Sequence, residues 1–489
     1  MSHTIVIGGG FGGIAAALRA RKLGHDVTLL ERNDSLGGRA QVFEDQGYRF
    51  DAGPTVITAP FLFEELFGLF GKKMSDYLTM LPLDVWYRFH FSDGRSFDYG
   101  SDMDRTLADI ARFNPEDVDG YKKLLARSEA IYKVGFEQLA DQPFHRVSTM
   151  LKQVPALLRL GSYRSVWGMV SHYLKDPMLR RAFSIPPLLV GGNPFRTTSI
   201  YALIPWLERK WGVHFPKGGT GALVQGLTRL MREEGIQIRT QCTVDHITCE
   251  GRRATGVRLA SGETLTADRV IANADAAYLY RHMVRELPKA ARFKLDHARY
   301  SMGLFVLYLG VNRTYDDVAH HTIWLGEQYR ELLEDIFEHK VMKDDFSLYV
   351  HRPTATDDSF APPGCDSFYI LAPVPNLQGD IDWSKRAGTL GDAIIKALSA
   401  TILPDVEKHI DTRFHMTPED FKNRYLSEHG TGFSIAPLFQ QSAWFRFHNK
   451  SEVLDRLYLV GAGTHPGAGL PGVVSSAKVV ERLLKEETP

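Results

Sequence analysis

The chain has 489 residues, of which 44% are apolar, so it can bury a large interior but exceeds the size at which one hydrophobic core keeps growing. We therefore expect two or three lobes rather than a single compact domain. Its 58 Lys and Arg residues balance its 58 Asp and Glu residues, which leaves no overall field to gather nucleic acid, and no nucleic-acid partner is expected.

The cysteines and histidines do not form a pattern typical of metal binding. Cys242, Cys249 and Cys365 contain no CxxC pair, so neither a disulfide framework nor a thiolate metal site is expected. The pair His320 and His321 is a poor candidate, because adjacent side chains rarely point at one ion and no carboxylate pattern accompanies them. We expect no metal.

Cysteine usage and apolar run lengths also bear on the compartment. The apolar runs, such as residues 303–311, are too short to cross a bilayer, and no charged-then-apolar leader precedes the first predicted strand. With no paired cysteines, the sequence favours a reduced, cytoplasmic protein without an export signal or a membrane-spanning helix.

The first predicted elements form a phosphate-binding strand, loop, helix and strand. Gly8 permits a tight turn, Gly10 lets a pyrophosphate approach the backbone, and Gly13 allows the helix to pack closely on its strand. The helix, which we expect to end near Gly24, offers free amide groups and its positive dipole end to a phosphate. Glu31 ends the second strand, where a carboxylate accepts hydrogen bonds from an adenosine ribose and repels a 2′-phosphate. The unit therefore indicates NAD or FAD.

The segment after Glu31 favours the flavin nucleotide. Gly37 and Gly38 give a second close backbone approach, and Arg39 can contact phosphate oxygens. A simple NAD fold needs no such addition. Only one GxGxxG stands between a strand and a helix, so a resident nicotinamide is not expected. The alternative for these residues is an ordinary turn with a solvated arginine.

Residues 146–181 form a basic amphipathic stretch. It contains seven Lys or Arg residues and a single acid, Asp176. Apolar residues recur among the charges at helical spacing: Met150, Leu151, Val154, Leu157, Leu158, Val166, Trp167, Val170, Tyr173 and Leu174. Such a stretch suits the interface of an anionic leaflet. The alternative is a helical lobe with a solvated basic face.

Two residues are candidates for proton transfer. Glu208, in "WLERKWGVHFP", is a candidate base, and the alternative is a surface partner of Arg209 or Lys210. His465 lies in the last glycine-rich loop and is a weaker candidate that could simply shape that loop.

A second nucleotide-binding segment follows. Leu223, Leu227, Leu230 and Met231 share one helical face, and Gly235 ends the helix. Short alternating strands with turns at 251–252 and 261–262 predict a three-stranded meander that interrupts a parallel sheet. Residues 236–244 would return the chain beside the adenine, with Val244 offering a backbone contact.

The third segment closes the chain. A predicted strand runs to Val460, then a loop with five glycines and two prolines precedes a helix that begins near Val473. Gly463, Gly472 and Val473 could present backbone NH groups to a flavin or a pyrophosphate. A plain C-terminal turn is the less favoured alternative, because five flexible residues are an entropic cost that close cofactor approach would explain.

Motifs along nearly the whole chain resemble one family. They are "VIGGGFGG", "ERNDSLGGRA", "FDAGPTVIT", "LLVGGNPF", "SIYALI", "GVHFPKGGTGALVQGL", "FSLYVHRP" and "LVGAGTHPGAGLPGVVSSAK". In this order they resemble the phytoene desaturases of the bacterial and fungal type, flavoproteins of the amine-oxidase-like fold. The resemblance implies FAD, held by Gly8, Gly10, Gly13, Glu31, Gly38, Arg39, Val244, Gly463 and the loop through Gly472 and Val473.

The resemblance also implies the fold class and its division. We expect an α/β protein with a discontinuous Rossmann-type FAD-binding domain, an α+β substrate domain and a helical membrane-facing lobe. The FAD-binding domain would comprise residues 1–75, 213–290 and 453–489, the substrate domain 76–145 and 291–452, and the lobe 146–212.

The implied reaction is desaturation of a linear carotenoid precursor, phytoene, to more conjugated products such as neurosporene or lycopene. A hydride would leave one allylic carbon for the flavin and a proton would leave its neighbour. A quinone or oxygen would reoxidise the flavin, with the protein peripheral on the inner face of the membrane. Alternatives are a C30 diapophytoene desaturase, a ketolase or an amine oxidase and, outside enzymes, a prenyl-lipid carrier.

Such a substrate offers no polar group, so its channel should be apolar and should look like ordinary core in the sequence. Candidate lining residues are Trp206, Trp211, Trp444, Phe61, Phe63, Phe67 and Phe70. Core packing is the alternative for each of them.

Overall fold

The computed structural model describes residues 2–487, which fold around a five-stranded and a seven-stranded sheet. The strands are β1 (His3–Ile7), β2 (Asp26–Leu30), β3 (Val42–Asp45), β4 (Tyr48–Asp51), β5 (Met80–Pro82), β6 (Val85–His90), β7 (Ser96–Gly100), β8 (His214–Pro216), β9 (Gln237–Arg239), β10 (Val244–Glu250), β11 (Arg253–Leu259), β12 (Thr264–Thr266), β13 (Arg269–Ala272), β14 (Gly303–Val311), β15 (His321–Trp324), β16 (Leu348–His351), β17 (Asp366–Val374), β18 (Ile410–Met416) and β19 (Leu457–Leu459). The helices are α1 (Phe11–Lys22), α2 (Phe61–Gly68), α3 (Met103–Phe113), α4 (Asp117–Tyr132), α5 (Val147–Arg159), α6 (Val166–Tyr173), α7 (Pro177–Ser184), α8 (Ile204–Trp211), α9 (Gly219–Glu233), α10 (Ala276–Tyr278), α11 (Lys289–Asp296), α12 (Tyr329–Glu334), α13 (Trp383–Ser399), α14 (Pro418–Tyr425) and α15 (Leu470–Glu487).

The five-stranded sheet is wholly parallel, in the order β19-β13-β1-β2-β9. Its central strand β1 is apolar on both faces, because α1, α9 and α15 cover one face and the antiparallel meander β10-β11-β12 lies under the other. The strands come from three widely separated parts of the chain. The discontinuous Rossmann-type fold expected from the sequence is therefore confirmed.

The larger sheet has the order β18-β14-β17-β16-β15-β6-β7 and is antiparallel except between β15 and β6. All nine residues of β14 are buried. Because side chains alternate along a strand, Phe305 and Leu307 pack towards α13, whereas Leu304 and Val306 face the helices on the other side. The sheet is thus sandwiched between α13 and a helical lobe.

Two parts of the chain pack differently from the predicted division. The helical lobe begins before residue 146, because α3 and α4 pack with α6, α7 and α8. The hairpin of β3 and β4 lies in the predicted FAD-binding segment but packs on the larger sheet, where Tyr48 donates a hydrogen bond to Asp411 at 2.7 Å. The sequence did not predict either packing arrangement, because both depend on contacts between residues distant in the chain.

The basic stretch 146–181 folds as α5, α6 and α7, and only part of it exposes apolar side chains to solvent. Val166, Val170 and Leu174 are buried in the lobe core, so their predicted exposure to a membrane is wrong. Asp176 caps α7, accepting hydrogen bonds from the amides of Met178 and Leu179. The apolar side chains that remain exposed lie on and just after α5, and the side chain of Leu157 is outside the described part of the structure.

Across residues 2–487, no helix combines the length and the apolarity that a bilayer span requires.

Candidate functional site

One large cavity, of about 530 Å³, lies where the parallel sheet, the larger sheet and the helical lobe meet. Its first part is bordered by the loop after β1, the segment 31–40 and the loop before α15. Its second part runs between the larger sheet and α8 towards α5. The cavity therefore joins a backbone-rich end to an apolar end.

The loop between β1 and α1 forms the narrow end. Gly8 has a φ of +92°, a conformation that favours glycine. At Gly13, a Cβ atom would lie 1.9 Å from the carbonyl oxygen of Gly8, so only glycine lets α1 pack this closely on β1. Among the described residues, no side chain caps the first amide groups of α1, which begins at Phe11. These amide groups are available to an anion at the cavity.

Glu31 follows β2 at the same end and is buried. Its carboxylate accepts hydrogen bonds from the backbone amides of Gly9 at 2.7 Å and Asn33 at 2.8 Å. These bonds fix the carboxylate beside the glycine loop and leave its remaining lone pairs for a ligand hydroxyl.

The second glycine pair lies against the first loop. The amide of Gly37 donates to the carbonyl oxygen of Gly9 at 2.8 Å. Arg39 donates to Ser427 Oγ at 2.6 Å, whereas its buried Nε has no hydrogen-bond partner among residues 2–487. Burial lowers the pKa of Arg39. An anionic or carbonyl oxygen in the cavity would satisfy this donor.

Asp275, which the sequence analysis did not select, lies opposite Arg39 in the cavity wall. Its Oδ1 caps α10, accepting hydrogen bonds from Ala277 and Tyr278 amides, while its buried Oδ2 has no partner within the described chain. Burial raises the pKa of Asp275. Its position in the turn that follows β13, at the carboxyl edge of a parallel sheet, is the signal that could have found it.

The loop before α15 closes the site from a third direction. Arg446, for which the sequence predicted no role, is buried. It donates hydrogen bonds to the carbonyl oxygens of Ala462 at 2.6 Å and Thr464 at 3.0 Å. At Gly472, a Cβ atom would lie 2.5 Å from the carbonyl oxygen of Gly467. The loop is therefore held close to the cavity by a side chain that comes from outside it.

The structure brings the proposed nucleotide-binding residues around one space. The lining residues among them are Gly8, Gly10, Glu31, Gly38, Arg39, Val244, Gly463, Gly472 and Val473. Gly13 does not line the cavity and instead sits in the α1–β1 contact. This arrangement fits a dinucleotide with a polar ring system. The free amide groups of α1 can bind its phosphates, and Arg39 Nε and Asp275 Oδ2, which have no partner in the described chain, can bind polar atoms of the ring.

Glu208 lies on α8 in the apolar part of the cavity wall. It is 2% exposed, and its Oε1 accepts a hydrogen bond from Tyr87 OH at 2.9 Å. Arg209 turns away to Gly100, and Lys210 pairs with Glu137, so the alternative of a surface ion pair is excluded. Burial raises the pKa of Glu208 to about 8.

His465 is buried in the loop before α15. Its Nε2 contacts the carbonyl oxygen of Leu139 at 2.9 Å, and its ring packs on Phe144 with centroids 4.6 Å apart. Burial lowers its pKa to about 4. A neutral imidazole with one nitrogen engaged in this way positions the loop against residues 139–144.

The aromatic residues predicted to line the apolar part do not do so. Phe63 and Phe67 are buried in the core around the parallel sheet, and Phe61 stacks on Trp211 with centroids 4.4 Å apart. The apolar lining comes instead from the lobe and the larger sheet. It includes Leu188, Leu189, Ile200, Leu203, Leu207, Met302, Leu304, Ile323, Tyr349, Tyr369 and Leu371.

Comparisons with known proteins agree with this geometry. A family model described as flavin containing amine oxidoreductase matches residues 11–480. A lycopene-forming phytoene desaturase of Pantoea ananas is 46% identical over 490 residues, covering 100% of both chains. A neurosporene-forming phytoene desaturase of Rhodobacter capsulatus is 40% identical over 501 residues, covering 100% of this chain and 96% of its own. A crystal structure of an oxidoreductase from Methanosarcina mazei superimposes with a TM-score of 0.69 at 17% identity, covering 98% of this chain and 100% of its own.

Proposed function

The chain belongs to the phytoene desaturases within the flavin containing amine oxidoreductase family, and from this premise we propose that it desaturates a linear carotenoid precursor such as phytoene. It is an FAD-dependent oxidoreductase of carotenoid biosynthesis. The alternative of a non-catalytic lipid carrier is thereby set aside. One observation supports the substrate assignment most: a single cavity is lined by the glycine loop and by the apolar side chains of the lobe and the larger sheet.

FAD is the cofactor, and we propose that residues of all three nucleotide-binding segments hold it. The α1 amide groups and Gly37–Gly38 would contact the pyrophosphate, and Glu31 the ribose. Arg39, Asp275, the loop 461–469 and the first turn of α15 would hold the ring system. When bound, FAD supplies an acceptor for a hydride.

The chamber beyond this end suits a long acyclic hydrocarbon chain. Its walls are mainly apolar, from Leu188 and Leu189 in the lobe to Leu304 and Leu371 in the larger sheet. A polyene precursor has no hydrogen-bonding group, so affinity has to come from burial of its apolar surface.

Glu208 is the residue in the chamber that we propose accepts the proton. Removing a hydride from an allylic carbon leaves positive charge, and a base must then take a proton from the neighbouring carbon for a double bond to form. The ionised carboxylate is the base, and Tyr87 holds it by donating a hydrogen bond. His465 is proposed as a positioning residue for the loop around the cofactor.

We propose that α5 docks the protein on a membrane, which would deliver the substrate. Leu151 and Leu158 are 64% and 58% exposed, and Arg146, Lys152 and Arg159 lie on the same short helix or next to it. The cavity lining reaches Met150 of α5 and Phe439, which is itself 40% exposed. An apolar, basic surface at the mouth of an apolar cavity suits extraction of a lipid from an anionic leaflet.

This docking would place the protein peripherally on the cytoplasmic face of the membrane. The two electrons taken from each substrate bond have to leave the enzyme, so the reaction needs an oxidant. A quinone dissolved in the same bilayer, or oxygen, would serve as the acceptor.

The test is turnover in anaerobic liposomes that contain phytoene and a quinone, with FAD added. We expect conjugated products, followed by their absorption. We expect Glu31→Arg to abolish them, because it removes the hydrogen-bond acceptor for the ribose hydroxyl groups and misplaces the cofactor. Asp34→Arg is the matched control, since Asp34 is exposed three residues further on. Unchanged turnover in Glu31→Arg would refute the ribose assignment. The function would be refuted if the unaltered protein gave no conjugated product either with the quinone or, in a parallel aerobic reaction, with oxygen.

A further inference from the structure

Three buried histidines lie together behind the cavity wall. His320 immediately precedes β15, His321 begins it, and His351 ends β16, where it pairs with His321 across the strands. Their exposed fractions are 6%, 0% and 0%, and one donor nitrogen from each lies within 4.8 Å of the others. In the sequence only His320 and His321 are adjacent, and the sheet register adds the third imidazole.

The hydrogen bonds around the cluster leave ring nitrogens free on all three residues. His320 Nδ1 contacts Thr356 Oγ1 at 2.6 Å, and His321 Nδ1 contacts Tyr349 OH at 2.8 Å. The Nε2 atoms of both residues, and both ring nitrogens of His351, have no partner among residues 2–487. Both hydroxyl groups can accept a hydrogen bond from Nδ1–H, and the tautomer with the proton on Nδ1 keeps the lone pair on Nε2 that a metal ligand needs.

The surroundings favour neutral imidazoles. Burial lowers the pKa of His320 and His321 well below its ordinary value and that of His351 to about 3. The neighbouring Arg352 is paired with Asp366 at 2.9 Å and Asp316 at 3.1 Å, so its charge is compensated. Phe215 packs edge-on against His320 with centroids 4.6 Å apart and closes another side of the cluster.

We propose that His320, His321 and His351 bind one divalent transition-metal ion of the zinc type, each through one unpartnered ring nitrogen. Three imidazoles and one water or hydroxide complete a tetrahedral site with metal–nitrogen distances of about 2.0–2.1 Å. The donor atoms have to close on the ion by about 1 Å, which small ring rotations provide. Thr356 and Tyr349 orient the ligands from outside. Tyr349 also lines the cavity, so the ion would fix a wall residue without contacting flavin or substrate.

The test measures metal bound to the full-length flavoprotein, purified without a histidine tag, incubated with zinc and then freed of unbound ion. We expect about one zinc per chain by elemental analysis, lost in His351→Gln but kept in His415→Gln, an exposed histidine on β18. Cobalt in place of zinc should give visible bands at longer wavelengths than those of the flavin.

Since His351→Gln could misfold, Thr356→Val provides a second variant outside the cluster. It removes the hydrogen bond to His320 Nδ1 and should weaken zinc binding by about 10–100-fold, with Thr356→Ser restoring it. Zinc below about a tenth of an ion per chain in the unaltered protein, or equal zinc in His351→Gln, would overturn the proposal.

Discussion

At the scale of single residues, burial decides what the site's ionisable groups can do. Glu208 and His465 were selected by their positions in motifs, but their environments separate them. Burial raises the pKa of Glu208 to about 8 and lowers that of His465 to about 4. Glu208 is therefore mainly protonated at neutral pH, and His465 is neutral and engaged with Leu139.

The pKa of Glu208 predicts the pH dependence of turnover. A carboxyl group with a raised pKa ionises only as pH climbs through that value, so a base at Glu208 should make kcat/KM rise with pH up to about 8. Glu208→Gln keeps an oxygen for the Tyr87 hydrogen bond but cannot take the proton, and kcat should fall about 10²–10⁴-fold. The measurement is a pH profile of both proteins in liposomes.

The control for this change is Glu137→Gln, which alters the exposed partner of Lys210. It should leave the pH profile as it is. If Glu208→Gln retained the full rate and the same rise of kcat/KM with pH, a group other than Glu208 would be accepting the proton.

At the scale of elements, the contacts of α1 and α5 carry the cofactor and membrane proposals. α1 reaches β1 only because position 13 lacks a Cβ. Leu151 and Leu158 of α5 are exposed, whereas the apolar residues of α6 and α7 lie in the core or pack against it. The same basic, apolar composition thus gives an exposed apolar surface in α5 and buried packing in α6 and α7.

Gly13→Ala should push α1 away from β1, because the new methyl group overlaps the carbonyl oxygen of Gly8. We expect a loss of about 1–3 kcal/mol in unfolding free energy, measured by denaturant titration, together with weaker FAD binding. Gly68→Ala is the control, since a Cβ there meets no atom within 4 Å. Equal stability of the two variants would contradict the close contact.

Leu151→Asp and Leu158→Asp should each weaken binding to anionic liposomes by about tenfold, because a charged group replaces a leucine that would enter the acyl boundary. Sedimentation with vesicles measures the effect. Phe293→Asp is a matched control on α11, since Phe293 is also 64% exposed. Parallel losses in all three variants would argue against a specific role for α5.

At the scale of the whole molecule, three distant segments meet at one cavity, and the parallel sheet joins them. β1 and β2 come from the first segment, β9 and β13 from the second, and β19 from the third. A ligand that touches all three would bind the folded chain and not the unfolded one. Its binding free energy would then add to the stability of the fold.

Free FAD at about 100 times its Kd should therefore raise the unfolding free energy of the cofactor-stripped protein by about 2.7 kcal/mol. Thermal or denaturant unfolding with and without FAD measures this shift. Glu31→Arg should lose most of it, whereas Asp34→Arg should keep it. A shift of the same size in Glu31→Arg would place the cofactor away from the glycine loop.

The sequence by itself determined the parallel nucleotide-binding sheet, its meander and the positions of the glycine loops. These features follow from local backbone requirements: a buried strand needs an unbroken apolar run, a tight turn needs glycine, and a helix needs a stop such as Gly235. Each can be recognised within about twenty residues of chain.

Only the tertiary structure decided what lies beside those loops. Arg446 and the Tyr87 partner of Glu208 act through contacts between residues distant in the chain, and Asp275 shares the cavity wall with Arg39, which comes from another segment. The apolar chamber could not be separated from ordinary core, because both consist of the same side chains and differ only in whether space remains between them. The position of the third histidine was also decided by the tertiary structure, because strand register, and not spacing in the sequence, brings His351 next to His321.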